Sequence, residues 1–199
     1  DLDGTLFDDS TQVQKRNLEA LRRFTEAGGL FCVSTGRTPD NAAQYLQETP
    51  INGPSIFYNG AAAYSIAEKR YVLTHSLDSA ALSPLLKKLL AEQPAINIQV
   101  YNTEAICFVS PRELADEWFV SQHQQGLDPS GAYCPTGFQG RILAAIGDYN
   151  NDVELLRAAD VSAAPSSALP VVREAAGYVV CSNNDGAVAD FIEKIFPAL

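Results

Sequence analysis

The chain is 199 residues long, 46% apolar and 19% charged, with 14 basic against 24 acidic side chains and a formal net charge of −10. Such a composition belongs to a folded globular protein and excludes a disordered one. The acidic excess, with no Lys/Arg run, excludes a track for nucleic-acid phosphates, and no stretch is apolar for long enough to span a membrane, so neither is an expected partner.

The first residues read DLDGT. Asp1 and Asp3 flank one apolar residue, so on an extended strand both carboxylates share a side, and Gly4 permits a sharp turn at its end. From Gln12 to Ala27 the residues Val13, Leu18, Leu21 and Phe24 recur near helical spacing, and Gly28-Gly29 supply a stop. Leu30 to Thr35 reads as a buried strand, followed at once by Gly36-Arg37, and Thr38-Pro39-Asp40 opens a second helix running to about Glu48. Ser55 to Tyr58 is another short strand, closed by Asn59-Gly60. Alternating strand and helix is the grammar of a parallel sheet with crossover helices.

After Gly60 the grammar changes. A hairpin is expected around Glu68-Lys69, then a helix whose Leu82, Leu85, Leu86, Leu89 and Leu90 form one stripe. INIQVYN and AICFVS read as adjacent strands, and PRELADEWFVSQHQ as a helix carrying Trp118. From Arg141 the first grammar resumes: strand RILAAIG, a helix from Asn151 to Ala159, strand DVSAA, helix LPVVREAA, strand YVVCS and helix GAVADFIEKIF. The expectation is an α/β core interrupted by an inserted α+β segment.

Cys32, Cys107, Cys134 and Cys181 are scattered without a CxxC pair, so all four are read as reduced thiols of a cytosolic protein, with Cys32 and Cys181 as small buried hydrophobes. His75 and His123 stand alone, with no third ligand at metal spacing. The chemistry concentrates instead in DLDGT, STGR and GDYNND, each directly after a predicted core strand. In an open parallel sheet the ligand site lies beyond the carboxyl ends of the strands, so the three stretches converge there.

DLDGTL, VSTGR and GDYNND, in this order, resemble motifs one, two and four of the haloacid dehalogenase-like hydrolases. The TGR and YNGA stretches, with a segment inserted between motifs two and four, resemble its Cof-type branch with a type IIB cap. The resemblance implies a three-layer Rossmann-like core (residues 1–60 and 140–199) with an inserted α+β cap (residues 61–139). It further implies a Mg²⁺-dependent phosphatase acting on small phosphorylated metabolites, whether sugar phosphates, nucleotides or cofactor phosphates, through an aspartyl-phosphate. Asp1 takes the place of the nucleophile. Asp3 takes that of the general acid/base, with its backbone carbonyl on the metal, and Asp148 that of the metal-binding aspartate. Asn151 and Asp152 would orient ligands around the ion. Thr35, with Ser34 as alternate, would bind phosphate together with the amides of Gly36 and Arg37, with Asn59 a further phosphate-binding candidate, and Asn59-Gly60 would form the cap hinge. For Arg37, substrate binding and pairing with an acid are equal alternatives. Asn150 or Asn151 is also expected to cap the following helix.

These residue types suit that chemistry. A carboxylate splits phosphoryl hydrolysis into two easier steps, a second carboxyl group handles the proton, and Mg²⁺ takes hard oxygen ligands and screens nucleophile from phosphate. One element of the family pattern is missing: no lysine occurs between Lys88 and Lys194, where the third motif would supply one, and Arg141 is a poor substitute. The absent lysine, the absence of methionine and the lack of a strand before Asp1 lead to the expectation that segments are missing from this chain, with a break between Pro111 and Arg141. A catalytically degenerate binder of metal or phosphorylated ligand, and a phosphomutase, are the alternatives to hydrolysis.

Overall fold

The computed structural model of the chain describes residues 1–93, 96, 98–101, 106–108 and 142–197. Its parallel sheet has the order β6 (Ala144–Ile146), β7 (Val161–Pro165), β8 (Tyr178–Val180). Helix α4 (Val153–Ala158) connects β6 to β7, α5 (Pro170–Ala175) connects β7 to β8, and α6 (Ala187–Ile195) follows. Ala163 and Ala164, successive residues of β7, point to opposite faces. Ala163 packs with Val180, Ala187 and Phe191, and Ala164 with Leu156, Ala168 and Val172. Helices therefore cover both faces, and a strand buried on both sides reads as a continuous apolar run in place of an alternating one.

The largest core cluster joins Leu2, Leu6 and Phe7 to Leu21 of α1 (Lys15–Glu26), to Val33, to Phe57 of β1 (Ser55–Phe57) and to Val188 of α6. Helix α1 starts at Lys15, three residues later than its apolar spacing predicts. Residues 8–12 are wound into a turn in which Asp8 Oδ1 accepts from the amides of Ser10 and Gln12, and Val13 bridges Phe7. The helix stops as predicted: Gly28, at φ +91°, donates to Thr25 O, and Gly29 donates to Phe24 O, the two bonds of a Schellman motif.

Residues 31–35 run parallel to β1 but form only the Ser34–Ile56 bridge, not the predicted full strand. Main-chain bonds run from Thr35 N to Ile56 O and from Ile56 N to Val33 O, but side chains take the place of further ladder bonds, since the Phe31 amide donates to Asn52 Oδ1 and the Val33 amide to Ser55 Oγ. Cys32 alternates outward from buried Val33 and is exposed, and Cys181 is half-buried, so neither is the buried hydrophobe expected; both are free thiols. Helix α2 (Pro39–Ala43) is capped by Thr38 as predicted, but residues 45–49 continue as i→i+3 turns, not as helix to Glu48.

β1 continues antiparallel into β2 (Ala62–Ser65) and β3 (Arg70–Thr74), the predicted hairpin. α3 (Ser79–Glu92) leads to the antiparallel pair β4 (Gln99–Tyr101) and β5 (Ile106–Phe108). The Leu stripe of α3 is graded: Leu82, Leu86, Leu89 and Leu90 are half-buried and Leu85 exposed. The expected helix around Trp118, together with His123, Cys134, Arg141 and the proposed break, lies outside the described residues. Among those described, no helix is long and apolar enough to cross a membrane.

Candidate active site

The site is assembled from three chain turns that the fold brings to one edge. The first is not an extended strand end. Leu2–Leu6 is wound so that the Phe7 amide donates to Leu2 O at 2.8 Å, and the Asp1 nitrogen donates to Ile146 O at 2.8 Å, which seats the turn beside β6. The turn, not the expected extended strand, presents Asp1 and Asp3, and both line the same cleft. The turn closes at Gly4, whose φ is +73°.

Asp1, Asp148 and Asp152 each offer a carboxylate oxygen within 4.8 Å of the others. Thr5, fully buried, donates its hydroxyl to Asp148 Oδ1 at 2.9 Å. Asp152 is buried, and its Oδ2 accepts the amides of Asp148 and Tyr149 at 3.1 and 3.0 Å. The aspartate thus folds the Asp148 loop back on itself ahead of α4, whose N-cap residue is Asp152, not the expected Asn150 or Asn151, and makes no side-chain capping bond. The Asn151 side chain instead approaches Asp152 Oδ1 at 3.5 Å. Burial pushes the Asp148 carboxyl above its ordinary range, the charges of Asp152 and Asp3 add to this, and the Thr5 bond opposes it. Among the described residues no lysine or arginine pairs with any of the three acids. Crowded hard-oxygen donors lacking a side-chain counter-charge fit a divalent cation.

Asp3 stands apart from this cluster. Both its oxygens are taken by Arg37, from Nε at 2.7 Å and Nη2 at 2.6 Å. Of the two alternatives for Arg37, pairing with an acid is the one observed, and that pairing raises its already high pKa. The guanidinium also donates from Nη1 to Asn41 Oδ1 at 2.6 Å and lies over the rings of Phe7 and Tyr45. The Arg37 amide donates to Thr35 Oγ1 at 3.2 Å, so it is engaged within its own turn, while the Thr35 hydroxyl proton stays available to a ligand. Asn59 adopts φ +53°, donates its amide to Thr35 O and lies against Gly36.

These groups enclose a cleft of about 450 Å³. Asp1, Asp3, Thr35, Gly36, Arg37, Asn59, Asp148 and Asn151 line it as the sequence predicts, and Asp152 lies buried beneath. Ser34 is not among the lining residues. Gly4, expected only to turn the chain, and Tyr149 also line the cleft, and Thr5 supports it; Tyr149 and Thr5 were assigned no role from sequence. His75 is exposed and joins no ligand cluster among the described residues.

A family model described as haloacid dehalogenase-like hydrolase matches residues 1–129 and 136–192. The 5-amino-6-(5-phospho-D-ribitylamino)uracil phosphatase YitU of Bacillus subtilis is 22% identical over 265 aligned positions, covering 98% of this chain and 96% of that protein. The aligned length exceeds the 199 residues of this chain, so YitU carries segments with no counterpart here. Phosphoglycolate phosphatase 2 of Saccharolobus solfataricus is 40% identical over 60 residues, 30% of this chain and 25% of that one. Among solved structures, a haloacid dehalogenase-like hydrolase from Bacteroides thetaiotaomicron superposes with a TM-score of 0.73 at 19% identity, covering 98% of this chain and 97% of the other. A subclass IIB sugar phosphatase of that superfamily superposes with a TM-score of 0.75 at 17% identity, covering 100% and 97%.

Proposed function

Because the chain belongs to the haloacid dehalogenase-like hydrolase family, we propose that the cleft is the active site of a Mg²⁺-dependent phosphomonoesterase acting on small phosphorylated metabolites. The observation that carries this reading is the division of four acids into a cluster of three, Asp1, Asp148 and Asp152, and a fourth, Asp3, held separately by Arg37. The Asp1 carboxylate attacks phosphorus as the ester P–O bond breaks, and Asp3 passes a proton to the departing oxygen. Water then attacks the aspartyl-phosphate, Asp3 takes back a proton, and inorganic phosphate leaves with Asp1 restored. The side chains of Asp1 and Asp148 and the backbone carbonyl of Asp3 would hold Mg²⁺, with Asn151 and Asp152 orienting its surroundings. The ion supplies charge neutralisation between nucleophile and phosphate. Thr35 offers a hydroxyl to the phosphate and Gly36 an amide.

The activities of YitU and of the sugar phosphatase, both on small phosphorylated molecules, support this substrate class. Residues 1–60 and 140–199 form the core in this reading and residues 61–139 the cap, with the β2–β3 hairpin at the seam, since Tyr64 and Tyr71 pack in the core cluster. Free thiols at Cys32 and Cys181 suit a cytosolic setting. The lack of lysine between Lys88 and Lys194 favours one competing reading, a binder without turnover. Phosphate release from a generic aryl phosphate, with Mg²⁺ and with chelator, for wild type and Asp1→Asn, separates them. Turnover that needs both Mg²⁺ and Asp1 is expected; ligand-dependent stabilisation without product would favour the binder.

A further inference from the structure

Arg37 is the sole lysine or arginine lining the cleft among the described residues, and its guanidinium is boxed in. The guanidinium carbon lies 5.4 Å from the centroid of the Phe7 ring and 5.0 Å from that of Tyr45. Those rings pack on each other at 5.7 Å, and Phe7 is fully buried, so the walls of the box belong to the core. Asn41 fixes the third side through Nη1. The remaining edge, Nε and Nη2, meets both oxygens of Asp3.

The two partners are unequal. The Arg37 side chain is 18% exposed and that of Asp3 57%. An ion pair between two mobile surface chains contributes little. Here the planar fork is already immobilised, and two parallel bonds set the plane of the carboxyl group as well as its place. A carboxylate offers about four lone-pair sites, of which Arg37 occupies two, so the outward pair stays free for the cleft. Without the fork, a divalent cation held by Asp1 and Asp148 would draw in the Asp3 carboxylate as well, and the acid/base would become a ligand.

We propose that Arg37 is a positioning residue that keeps the Asp3 carboxyl group out of the metal cluster and turned toward the leaving-group oxygen. The inference rests on the phosphatase reading above. Its consequence is selective. An alkyl phosphate needs a proton delivered to the departing oxygen as the P–O bond breaks, giving the alcohol, whereas p-nitrophenolate departs as a stable anion without one.

The test compares wild type, Arg37→Met, Arg37→Lys, Asp3→Asn and Arg37→Met/Asp3→Asn on p-nitrophenyl phosphate and on the best substrate from a panel of sugar phosphates. Far-ultraviolet circular dichroism checks the fold. General acid catalysis contributes roughly 10²–10⁴-fold, so Arg37→Met is expected to lower kcat/KM on the sugar phosphate about 100-fold and on the aryl ester about tenfold or less. Lysine keeps the charge but lacks the fork, so Arg37→Lys is expected to follow Arg37→Met. Asp3→Asn should show the same selectivity, and adding Arg37→Met to it should cost little more on the sugar phosphate. Equal losses on both esters, full sugar-phosphate activity in Arg37→Lys, or additive losses in the double variant would overturn the proposal. So would a wild type that cleaves the aryl ester and no sugar phosphate, since an acid that delivers no proton is not being positioned. A wild type that releases phosphate from neither ester overturns the phosphatase reading itself, and the inference with it.

Discussion

Gly4→Ala separates two costs that the first turn carries. Gly4 holds φ +73°, and a Cβ there would lie 2.4 Å from Asp148 Oδ2 and 2.8 Å from Asp148 Cγ. Holding an alanine in the left-handed region costs about 1–2 kcal/mol. The collision adds a second cost, because Asp148 must turn away and break the 2.9 Å bond from the buried Thr5 hydroxyl. A hydrogen bond to a charged group contributes about 1.5–3 kcal/mol. Gly28 supplies the control: its φ is +91°, yet nothing lies within 4 Å of its Cβ position. Urea denaturation followed by circular dichroism is expected to show Gly28→Ala less stable by about 1 kcal/mol and Gly4→Ala by about 3 kcal/mol. Equal losses in the two variants would mean that Asp148 does not sit against the turn, and the account of the site would fail with it.

Asp190 accepts the Cys181 amide at 2.8 Å and Lys194 Nζ at 3.1 Å, and despite burial these partners hold its carboxyl below its ordinary value. A depressed carboxyl contributes stability that is present above the unfolded-state pKa of about 3.9 and lost as pH falls through the lower folded value. Asp190→Asn is therefore expected to lose about 1 kcal/mol at pH 7, with the difference closing below about pH 4 in denaturation series run across pH. Asn17 is fully buried, donates to Leu6 O and accepts from the Ala189 amide. Asn17→Ala strands two backbone groups and is expected to cost about 3 kcal/mol by the same urea assay; a loss under about 1 kcal/mol would contradict it. Thr5→Val keeps shape but removes the donor to Asp148, and the Mg²⁺ concentration for half-maximal phosphate release is expected to rise about tenfold.

The three chemical stretches were legible because each packs its functional groups into a few contiguous residues of recognisable spacing. The α/β alternation was legible for the same local reason, in apolar runs such as that of β7 and in stops such as Gly28-Gly29. What escaped reading was set by closure over distance. The Asp3–Arg37 pair spans 34 positions and the Thr5–Asp148 bond 143, and neither leaves a trace in local spacing. The Phe7 and Tyr45 walls around Arg37 belong to no motif and drew no expectation from sequence. In the 31–35 segment, apolar content predicted a strand, but Asn52 and Ser55 side chains captured the amides that a ladder would have used. Asp152 was assigned to the metal's surroundings, yet its Oδ2 is spent on two amides of its own loop, which local propensity does not reveal.

The charge balance of the cleft leads to a further test. Arg37 and Asp3 neutralise one another, which leaves Asp1, Asp148 and Asp152 crowded within 4.8 Å and unpaired with lysine or arginine among the described residues. Such crowding destabilises the metal-free protein and favours a bound dication, so the sign of an Asp148→Asn substitution should depend on metal. Without Mg²⁺ the variant sheds repulsion and is expected to melt at or above the wild-type temperature. With Mg²⁺ at about 100 times its Kd, the wild type gains about 2.7 kcal/mol by mass action. At roughly 2–4 °C per kcal/mol for a chain of this size, its melting point should rise by about 5–10 °C and overtake a variant that barely responds. Thermal melts of both proteins in chelator and in Mg²⁺ decide the matter. If Asp148→Asn melts well below wild type in chelator, or if wild type does not respond to Mg²⁺, the three acids are a structural knot and not a cation site.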